Sequence, residues 1–294
     1  MEGHMKKYSF LDVVIHFIFI VFCIMCIVPF VIVIATSFST EAEVVTKGYA
    51  LFPRKFTTDA YDYLFRDLSV MLRAYAVTIL TTVGGTLAGV LFMAATAYTL
   101  SRKDFKQRGT IGFFIYFTMM FNGGMVATYI LITNYLHLNN TIWVQVLPTL
   151  ISPYYLFILR RFMSDIPVSI IESAKIDGAG EYTVFFKLVI PLAKSGIAAV
   201  SLLVALTYWN SWWPSLMYVD DADLGTLQYL LYRIISNAQA LSDPSKNMFL
   251  SGVTIPTYSV RMAACVMAVG PIIVLFPFFQ KHFVKGMTVG AVKG

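Results

Sequence analysis

Residues 13–35 read VVIHFIFIVFCIMCIVPFVIVIA, an apolar run of 23 residues without Asp, Glu, Lys or Arg. About 20 consecutive apolar residues cross the roughly 30 Å hydrocarbon layer of a membrane as a helix. Lys6 and Lys7 precede the run, as basic residues precede a secretory signal, but the apolar core of a signal has only about 7–15 residues. The length of the run therefore predicts a retained first transmembrane helix.

Five further apolar runs follow the first one. The six predicted spans are residues 13–35, 74–100, 111–135, 142–159, 195–219 and 262–280, and none contains Asp, Glu, Lys or Arg. Backbone polar groups in lipid must bond within their own segment, which favours helices over strands. Pro148 and Pro153 make the limits of the fourth span the least defined. The sequence predicts an all-α integral membrane protein with six transmembrane helices, forming one domain over residues 1–294.

The composition of the whole chain agrees with membrane insertion. The 294 residues are 58% hydrophobic and 13% charged, with a mean hydropathy of +0.72. Soluble domains contain about 45–50% apolar and about 25% charged residues. This excludes an ordinary soluble enzyme, a disordered protein and a disulfide-rich secreted domain. Cys23 and Cys26 form a CxxC inside the first span, where packing is expected rather than a metal or redox site.

The net charge of +6 is distributed unevenly between the two sides of the predicted bundle. One side holds both termini, residues 101–110 and residues 160–194, with 14 of the 22 Lys and Arg residues. The other side holds residues 36–73, 136–141 and 220–261. The positive-inside rule places the more basic side, and so both termini, in the cytoplasm. The basic excess thus reflects topology rather than nucleic-acid binding.

The two long outer loops, residues 36–73 and 220–261, contain helical patterns. A short amphipathic helix is expected around residues 61–65. A second helix is predicted because apolar residues recur at i, i+3, i+4 and i+7; these are Leu227, Leu230, Leu231 and Ile234. Both loops can be interpreted as docking surfaces for an external protein or as caps that pack on themselves.

The loop 160–194 has the most informative pattern on the inner side. Ser164 or Asp165 is expected to cap a helix over residues 166–177, with Pro167 in its first turn and Gly178 at its C-terminal cap. The predicted apolar face of this helix comprises Ile166, Ile170 and Ala174.

A second short helix is predicted in the same loop, ending at Pro191. Its apolar residues at i, i+3, i+4 and i+7 are Tyr182, Phe185, Phe186 and Val189. An amphipathic pair of this kind covers either a lipid surface or a groove on a partner protein. Lys175 and Lys187 are outnumbered by acidic residues, namely Glu172, Asp177 and Glu181. Because helices that bind anionic lipid are rich in Lys and Arg, a protein groove is favoured.

The loop also resembles a known signature. The loop is similar to the EAA loop of ABC importer permeases: Glu172-Ser173-Ala174 is followed, after three intervening residues, by Gly178, and after nine more by Leu188-Val189-Ile190-Pro191. Ser173, Leu188 and Ile190 depart from the signature conservatively. Ile176-Asp177-Gly178-Ala179 and the tail 283–294 are typical of the carbohydrate-importing branch. By this resemblance, which covers essentially the whole chain, the protein is identified as a MalG-like permease of complex-saccharide importers with the type I importer fold.

The resemblance implies an assembly in the bacterial cytoplasmic membrane. Such permeases pair with a second homologous permease and two ATPase subunits, and they receive sugar from an extracellular solute-binding protein. The residues implied in coupling to the ATPase are Glu172, Ser173, Ala174, Asp177, Gly178 and Pro191. Lys285, Gly286 and Lys293 of the tail are implied in a second contact, with a frayed basic end as the alternative. This chain contains no GxxxxGK[ST] loop, so the partner ATPase is expected to bind ATP and Mg²⁺. The chain itself is expected to have no enzymatic activity and to bind no cofactor.

A sugar path requires amides for hydroxyl groups and aromatic rings for apolar sugar faces. The candidates are Asn122 in the third span and Tyr208, Trp209, Asn210 and Trp213 in the fifth. Interfacial anchoring of the aromatic residues and helix-to-helix bonding of the amides are the alternatives. Gly85 and Gly89 form a GxxxG that predicts close helix packing, with the partner permease as one possible neighbour.

Two other functional classes were weighed against this interpretation. An ion-coupled secondary sugar transporter is the main alternative, but it predicts carboxylates or broken helices near the midplane, and the spans contain no carboxylate. An intramembrane enzyme would need a catalytic constellation, and His16 is the single histidine inside a predicted span.

Overall fold

The structure is a computed structural model that describes residues 10–242 and 257–273. Apolar composition and the scarcity of internal glycine–proline breaks make these residues largely helical. The α-helices in chain order are α1 Phe10–Ser37, α2 Glu41–Lys47, α3 Asp59–Leu64, α4 Leu68–Ser101, α5 Arg108–Met120, α6 Gly124–Ile130, α7 Trp143–Val146, α8 Pro153–Ser164, α9 Val168–Ile176, α10 Glu181–Val184, α11 Ile190–Leu192, α12 Lys194–Trp209, α13 Trp213–Tyr218, α14 Leu227–Ser242 and α15 Thr257–Ile273.

Among the described residues, two single helices are long and apolar enough to cross a membrane. They are α1, with 28 residues, and α4, with 34 residues. Two pairs of helices joined by a sharp bend are also long and apolar enough to cross a membrane when each pair is taken as one span. One pair joins α5 to Gly124–Tyr135 at an angle of 111°, and the other joins Glu181–Leu192 to α12 at 81°. Helix α15 is apolar but shorter, so these helices alone do not fix the number of spans at six.

The predicted fourth span is not one continuous helix. Helix α7 gives way to a 3₁₀ turn at Leu147–Thr149, and an irregular stretch precedes α8. Pro148 and Pro153 explain the break, because proline cannot donate a backbone hydrogen bond and restricts the residue before it. The predicted fifth span is also interrupted, at residues 210–212 between α12 and α13.

The described chain divides into two units. The first unit holds residues 10–67, 233–242 and 257–271. In this unit Phe38 stacks on Phe56, with ring centroids 5.4 Å apart, and the expected short outer helix is confirmed as α3. The Glu41 carboxylate accepts hydrogen bonds from the backbone N–H groups of Tyr258 (2.9 Å) and Ser259 (3.1 Å). A carboxylate in this position satisfies free donors at the start of α15.

The second unit, residues 68–232 and 272–273, contains the main core. Helices α4, α8 and α12 pack together around buried apolar residues that include Met93, Leu159 and Val200. Glycines permit the closest approaches. A Cβ atom at Gly85 would lie 2.5 Å from the Tyr208 ring, and one at Gly89 would lie 2.5 Å from the Leu150 carbonyl oxygen. The GxxxG therefore packs within this chain, on α12 and on the break before α8.

Candidate coupling and translocation site

Gly178 ends α9 as predicted. Its φ of +83° lies in the left-handed region that favours glycine. The Gly178 N–H donates to the Lys175 carbonyl (3.0 Å), and the Ala179 N–H donates to the Ala174 carbonyl (2.9 Å). This pair of bonds is the Schellman arrangement. Ala174 and Ala179 both pack partly against the core, so the turn is anchored on the bundle.

The start of α9 differs from the prediction. Ser164 is the last residue of α8 and its hydroxyl donates to the Arg160 carbonyl (2.8 Å), whereas Asp165 follows that helix and pairs with Arg161. Helix α9 begins only after Pro167. Proline disfavours the helical conformation in the residue before it, which favours a break at Ile166. Ile166 and Ala174 pack partly against the core as predicted, whereas Ile170 is exposed and Ile171 is buried.

The second predicted helix of the loop 160–194 contains a π-turn at Phe185–Val189 between α10 and α11. A π-turn widens the helical repeat. Val184, Phe185 and Val189 are buried, whereas Phe186 and Tyr182 are exposed. The predicted 3.6-residue face was therefore wrong for this pair of residues. Pro191 lies exposed within α11, and the chain bends after it into α12.

The tip of the loop exposes both charge and apolar surface. Ile176 and Tyr182, on either side of the Gly178 turn, are 86% and 84% exposed. Glu172, Ser173 and Asp177 are also exposed. Within the described part of the chain, the Glu172 side chain makes no ion pair or hydrogen bond. Glu172 lines a cleft of about 460 Å³ whose other charged walls are mostly basic; they are Arg102, Lys103, Asp104, Arg108, Arg160 and Lys175.

Three of these wall residues, Arg102, Asp104 and Lys175, form a ring of four charges with Glu181. The Arg102 guanidinium donates two hydrogen bonds to the Asp104 carboxylate, at 2.9 and 2.5 Å. Lys175 Nζ lies 3.9 Å from Asp104 and 2.5 Å from the Glu181 carboxylate. Glu181 closes the ring at 4.0 Å from Arg102. The Tyr98 hydroxyl donates to Glu181 (2.9 Å) and accepts from Arg102 (3.1 Å).

The ring keeps its charges at neutral pH. Hydrogen bonds from Arg102 lower the pKa of Asp104 to about 2. The hydrogen bond from Lys175 lowers the pKa of Glu181, although partial burial opposes it. The hydrogen bond to Asp104 raises the pKa of Arg102. Opposite charges in contact therefore stabilise the ionised forms of Asp104, Glu181 and Arg102.

The amino-acid sequence did not predict this ring. Its members belong to two loops, and Tyr98 and Glu181 are 83 residues apart. The available signal was a pair of opposite charges in each loop, Arg102 with Asp104 and Lys175 with Glu181. A single sequence does not show which pairs meet.

The structure gives the predicted path residues different environments. Tyr208 and Trp209 are buried, and the Tyr208 hydroxyl donates to the Val146 carbonyl (3.1 Å). The Asn210 amide donates to the Leu206 carbonyl (2.8 Å) where α12 ends. Trp213 is partly exposed and packs edge-on against Trp212.

Asn122 lies at the 111° bend between α5 and α6. Its side-chain oxygen accepts a hydrogen bond from the Gly124 N–H (2.8 Å), and Gly124 has a φ of +81°. This is an Asx turn, a local structure that asparagine commonly forms. Asn122 and Asn210 thus each have a structural bond at a helix break.

A cleft of about 410 Å³ opens at the break before α8. Its walls come from α4, from the break, from α8 and from α12, and every lining side chain is uncharged. Six of them carry a hydroxyl group: Thr149, Ser152, Tyr154, Tyr155, Thr207 and Tyr208. Non-helical backbone at membrane depth is tolerated where it is buried in protein or lines a water-filled cavity. The cleft thus contains hydroxyl groups, which can form hydrogen bonds with sugar hydroxyls, and aromatic rings, which can pack on apolar sugar faces.

The predicted tail contact, Lys285, Gly286 and Lys293, lies outside the described residues.

Known proteins similar to the chain are transport-system permeases, although no protein-family model matches it. The polygalacturonan/rhamnogalacturonan transport system permease protein YtcP of Bacillus subtilis is 38% identical, over 98% of this chain and 100% of the relative. The arabinooligosaccharides transport system permease protein AraQ of Halalkalibacterium halodurans is 30% identical, over 95% of each chain.

A solved structure is similar over almost the whole fold. It is a chain of a bacterial ABC transporter involved in the import of the acidic polysaccharide alginate. The TM-score is 0.79 at 27% identity, and the match covers 95% of this chain and 100% of that one. Three observations indicate the same family: the resemblance of the loop 160–194, the apolar helices and the two full-length relatives. The chain belongs to the family of MalG-like permeases of carbohydrate ABC importers, which are membrane-protein subunits of transporters rather than enzymes.

Proposed function

We propose that this chain is the six-helix permease subunit of an ATP-driven, binding-protein-dependent oligosaccharide importer, and that its loop 160–194 docks on an ATPase subunit. Closure of two ATPase subunits then displaces the loop and changes the packing of the membrane helices, a rigid-body transition between two packed states. ATP and Mg²⁺ belong to the ATPase, and this chain holds neither.

The exposed tip of the loop is the single observation that carries the docking proposal. Ile176 and Tyr182 expose apolar surface beside Glu172, an anion without an internal partner among the described residues. Exposed apolar surface rimmed by charge is characteristic of interaction sites. The Schellman bonds fix Gly178 and hold this tip in one shape before binding. A preformed tip lowers the entropic cost of association.

The proposed assembly follows the family. It contains a second homologous permease, two ATPase subunits and an extracellular solute-binding protein, in the bacterial cytoplasmic membrane. The charge distribution of the sequence supports cytoplasmic termini. Lys285, Gly286 and Lys293 provide a second ATPase contact in this proposal.

The docking proposal is tested by replacing Glu172 with alanine in the assembled transporter. A hydrogen bond to a charged group contributes about 1.5–3 kcal/mol, so we expect ATPase retention during purification to weaken by about tenfold or more. Asp165→Ala is the control, because Asp165 is an exposed carboxylate of the same loop with its own partner, Arg161. The measurements are the ATPase-to-permease ratio and the uptake of oligogalacturonides and arabino-oligosaccharides into vesicles. Unchanged retention and uptake in Glu172→Ala would remove Glu172 from the docking surface.

The uncharged cleft before α8 is proposed as the part of the sugar path that this chain contributes. It has hydroxyl groups for sugar hydroxyls and the exposed Tyr154 ring for an apolar sugar face. Because none of the described residues that line it is basic, it contacts the uncharged parts of the saccharide. Its volume of about 410 Å³ lies within the range of ligand sites. Tyr208 lines this cleft, whereas the side chains of Asn122 and Asn210 form hydrogen bonds at helix breaks.

Tyr154→Ala tests this path. We expect the KM for oligosaccharide uptake to rise by about two- to tenfold, the equivalent of one aromatic contact of about 0.5–1.5 kcal/mol. Tyr116→Ala is a matched control: Tyr116 is 51% exposed and Tyr154 58%, and each packs edge-on against one aromatic ring. Equal KM values for the two variants would exclude the cleft as a contact site.

A further inference from the structure

We propose that the charge ring of Arg102, Asp104, Lys175 and Glu181, together with Tyr98, is a positioning device that transmits motion of the loop 160–194 to α4. The inference rests on the proposed function, because it concerns what happens after the loop has docked. It assigns a role to residues other than Glu172, Ile176 and Tyr182, which carry the docking proposal.

The ring joins three separate segments of the chain. Tyr98 lies in the last turn of α4, and Arg102 directly follows that helix. Asp104 belongs to the connection that leads to α5. Lys175 lies in the last turn of α9, and Glu181 is the first residue of α10. Glu181, after the Gly178 turn, is therefore bonded to Tyr98 of α4, and Lys175, before it, contacts Asp104 in the connection that follows α4.

Arg102 is the most enclosed member of the ring, with 14% of its side chain exposed. Its planar guanidinium holds Asp104 through two parallel hydrogen bonds, the geometry in which arginine is most specific. The Arg102 guanidinium carbon also lies 5.7 Å from the centre of the Tyr98 ring, a cation–π arrangement. The orientation of Arg102 is thus fixed from α4, and Arg102 in turn orients the carboxylates on both sides.

Apolar packing beside the ring also connects the loop 160–194 to α4. The rings of Tyr98 and Phe185 are 5.6 Å apart, which places the π-turn of the loop against α4. Apolar contacts resist compression but slide easily, because they have little directional preference. Hydrogen bonds and ion pairs of fixed geometry resist sliding. The ring therefore supplies the directional part of the connection between the loop and α4.

Exposed ion pairs add little to stability, typically about 0–1 kcal/mol each. Glu181 and Asp104 are more than half exposed, so the ring is not a main source of fold stability. Its proposed contribution is to fix the position of the loop 160–194 relative to the end of α4. For this reason its loss is expected to affect energy transmission more than folding or docking.

The test uses the complete transporter in proteoliposomes with Glu181→Gln, a variant of equal shape that removes one charge from the ring. We expect sugar imported per ATP hydrolysed to fall by about threefold or more, with the ATPase-to-permease ratio unchanged because the tip around Glu172 is intact. Oligogalacturonides and arabino-oligosaccharides are the transport probes. Asp165→Asn is the matched control: Asp165 is 58% exposed and Glu181 57%, but Asp165 pairs with Arg161 within one helix turn.

Tyr98→Phe provides a second, milder variant that retains every charge. It removes the hydroxyl that bridges Glu181 and Arg102, and we expect a smaller fall in the same ratio. In the double variant the effects should not add, since both changes break one network. If Glu181→Gln fails to accumulate in the membrane, Tyr98→Phe decides the question alone.

The outcomes separate the two proposals. A wild-type assembly that neither retains an ATPase nor imports sugar contradicts the proposed function. A wild-type assembly that imports sugar, with normal import per ATP in both Glu181→Gln and Tyr98→Phe, overturns the ring alone. An equal loss of ATPase retention and import in Glu181→Gln would also overturn it, because it would indicate a merely structural role.

Discussion

Helix α4 and the loop 160–194 are held in place by different kinds of interaction. Residues 74–100 of α4 contain no charged side chain, and this helix fits its neighbours through Gly85 and Gly89. The loop buries Val184, Phe185 and Val189 in the core, but its exposed tip is shaped by one left-handed glycine and flanked by a ring of four charges. Steric fit in an apolar core tolerates almost no added volume. Substitutions of surface charges or turn residues cost less stability, but they change the conformation that those residues hold.

The difference matches what the two regions are proposed to do. A helix in the bundle has to keep its shape while it moves as a rigid element. A docking loop has to present Ile176, Tyr182 and Glu172 outward, so it cannot bury them for its own stability. Regions that serve binding are commonly drawn from the less stable parts of a structure for this reason.

The largest expected effect comes from adding one methyl group to α4. In Gly89→Ala the new Cβ would lie 2.5 Å from the Leu150 carbonyl oxygen, a backbone atom that cannot rotate away. We expect destabilisation of about 1–3 kcal/mol, the usual cost of overpacking, and a lower Tm of the detergent-solubilised protein. Gly84→Ala is the control, since no atom lies within 4 Å of its added Cβ. Equal Tm values for the two variants would contradict close packing at Gly89.

A smaller effect is expected at the turn of the loop. Gly178→Ala meets no steric neighbour, but an L-residue at a φ of +83° costs about 1–2 kcal/mol. We expect faster hydrogen exchange of the Gly178-site and Ala179 amides, whose Schellman bonds loosen, and weaker ATPase retention, with little change in Tm. Gly180→Ala is the matched control, because Gly180 also has free space but a φ of −71°. If Gly180→Ala exchanged as fast as Gly178→Ala, the left-handed conformation would not be what holds the turn.

Local sequence predicted much of the secondary structure. The C-terminal cap at Gly178, the helix α3 and the periodic helix that begins at Leu227 are confirmed. Each depends on residues within a few positions of one another, so the sequence contains the full cause. The EAA-like spacing is a local pattern too, and the family that it predicted is confirmed by the full-length relatives.

Predictions failed where distant residues or backbone strain compete with a local pattern. The cap at Ser164 or Asp165 was wrong because α8 extends to Ser164. The apolar face with Tyr182 and Phe186 was wrong because a π-turn shifts the repeat. The two clefts and the charge ring could not be predicted at all, since each combines residues from three or more elements.

The amino-acid sequence by itself determined that this chain enters a membrane, because long runs without charge leave no other stable environment. It also determined the left-handed turn at Gly178 and the family. Only the tertiary structure decided that Gly89 meets a backbone carbonyl, that hydroxyl groups gather at the break before α8, and that four charges from two loops form one ring. Helical periodicity and residue spacing act over a few residues, whereas these contacts depend on how whole helices pack.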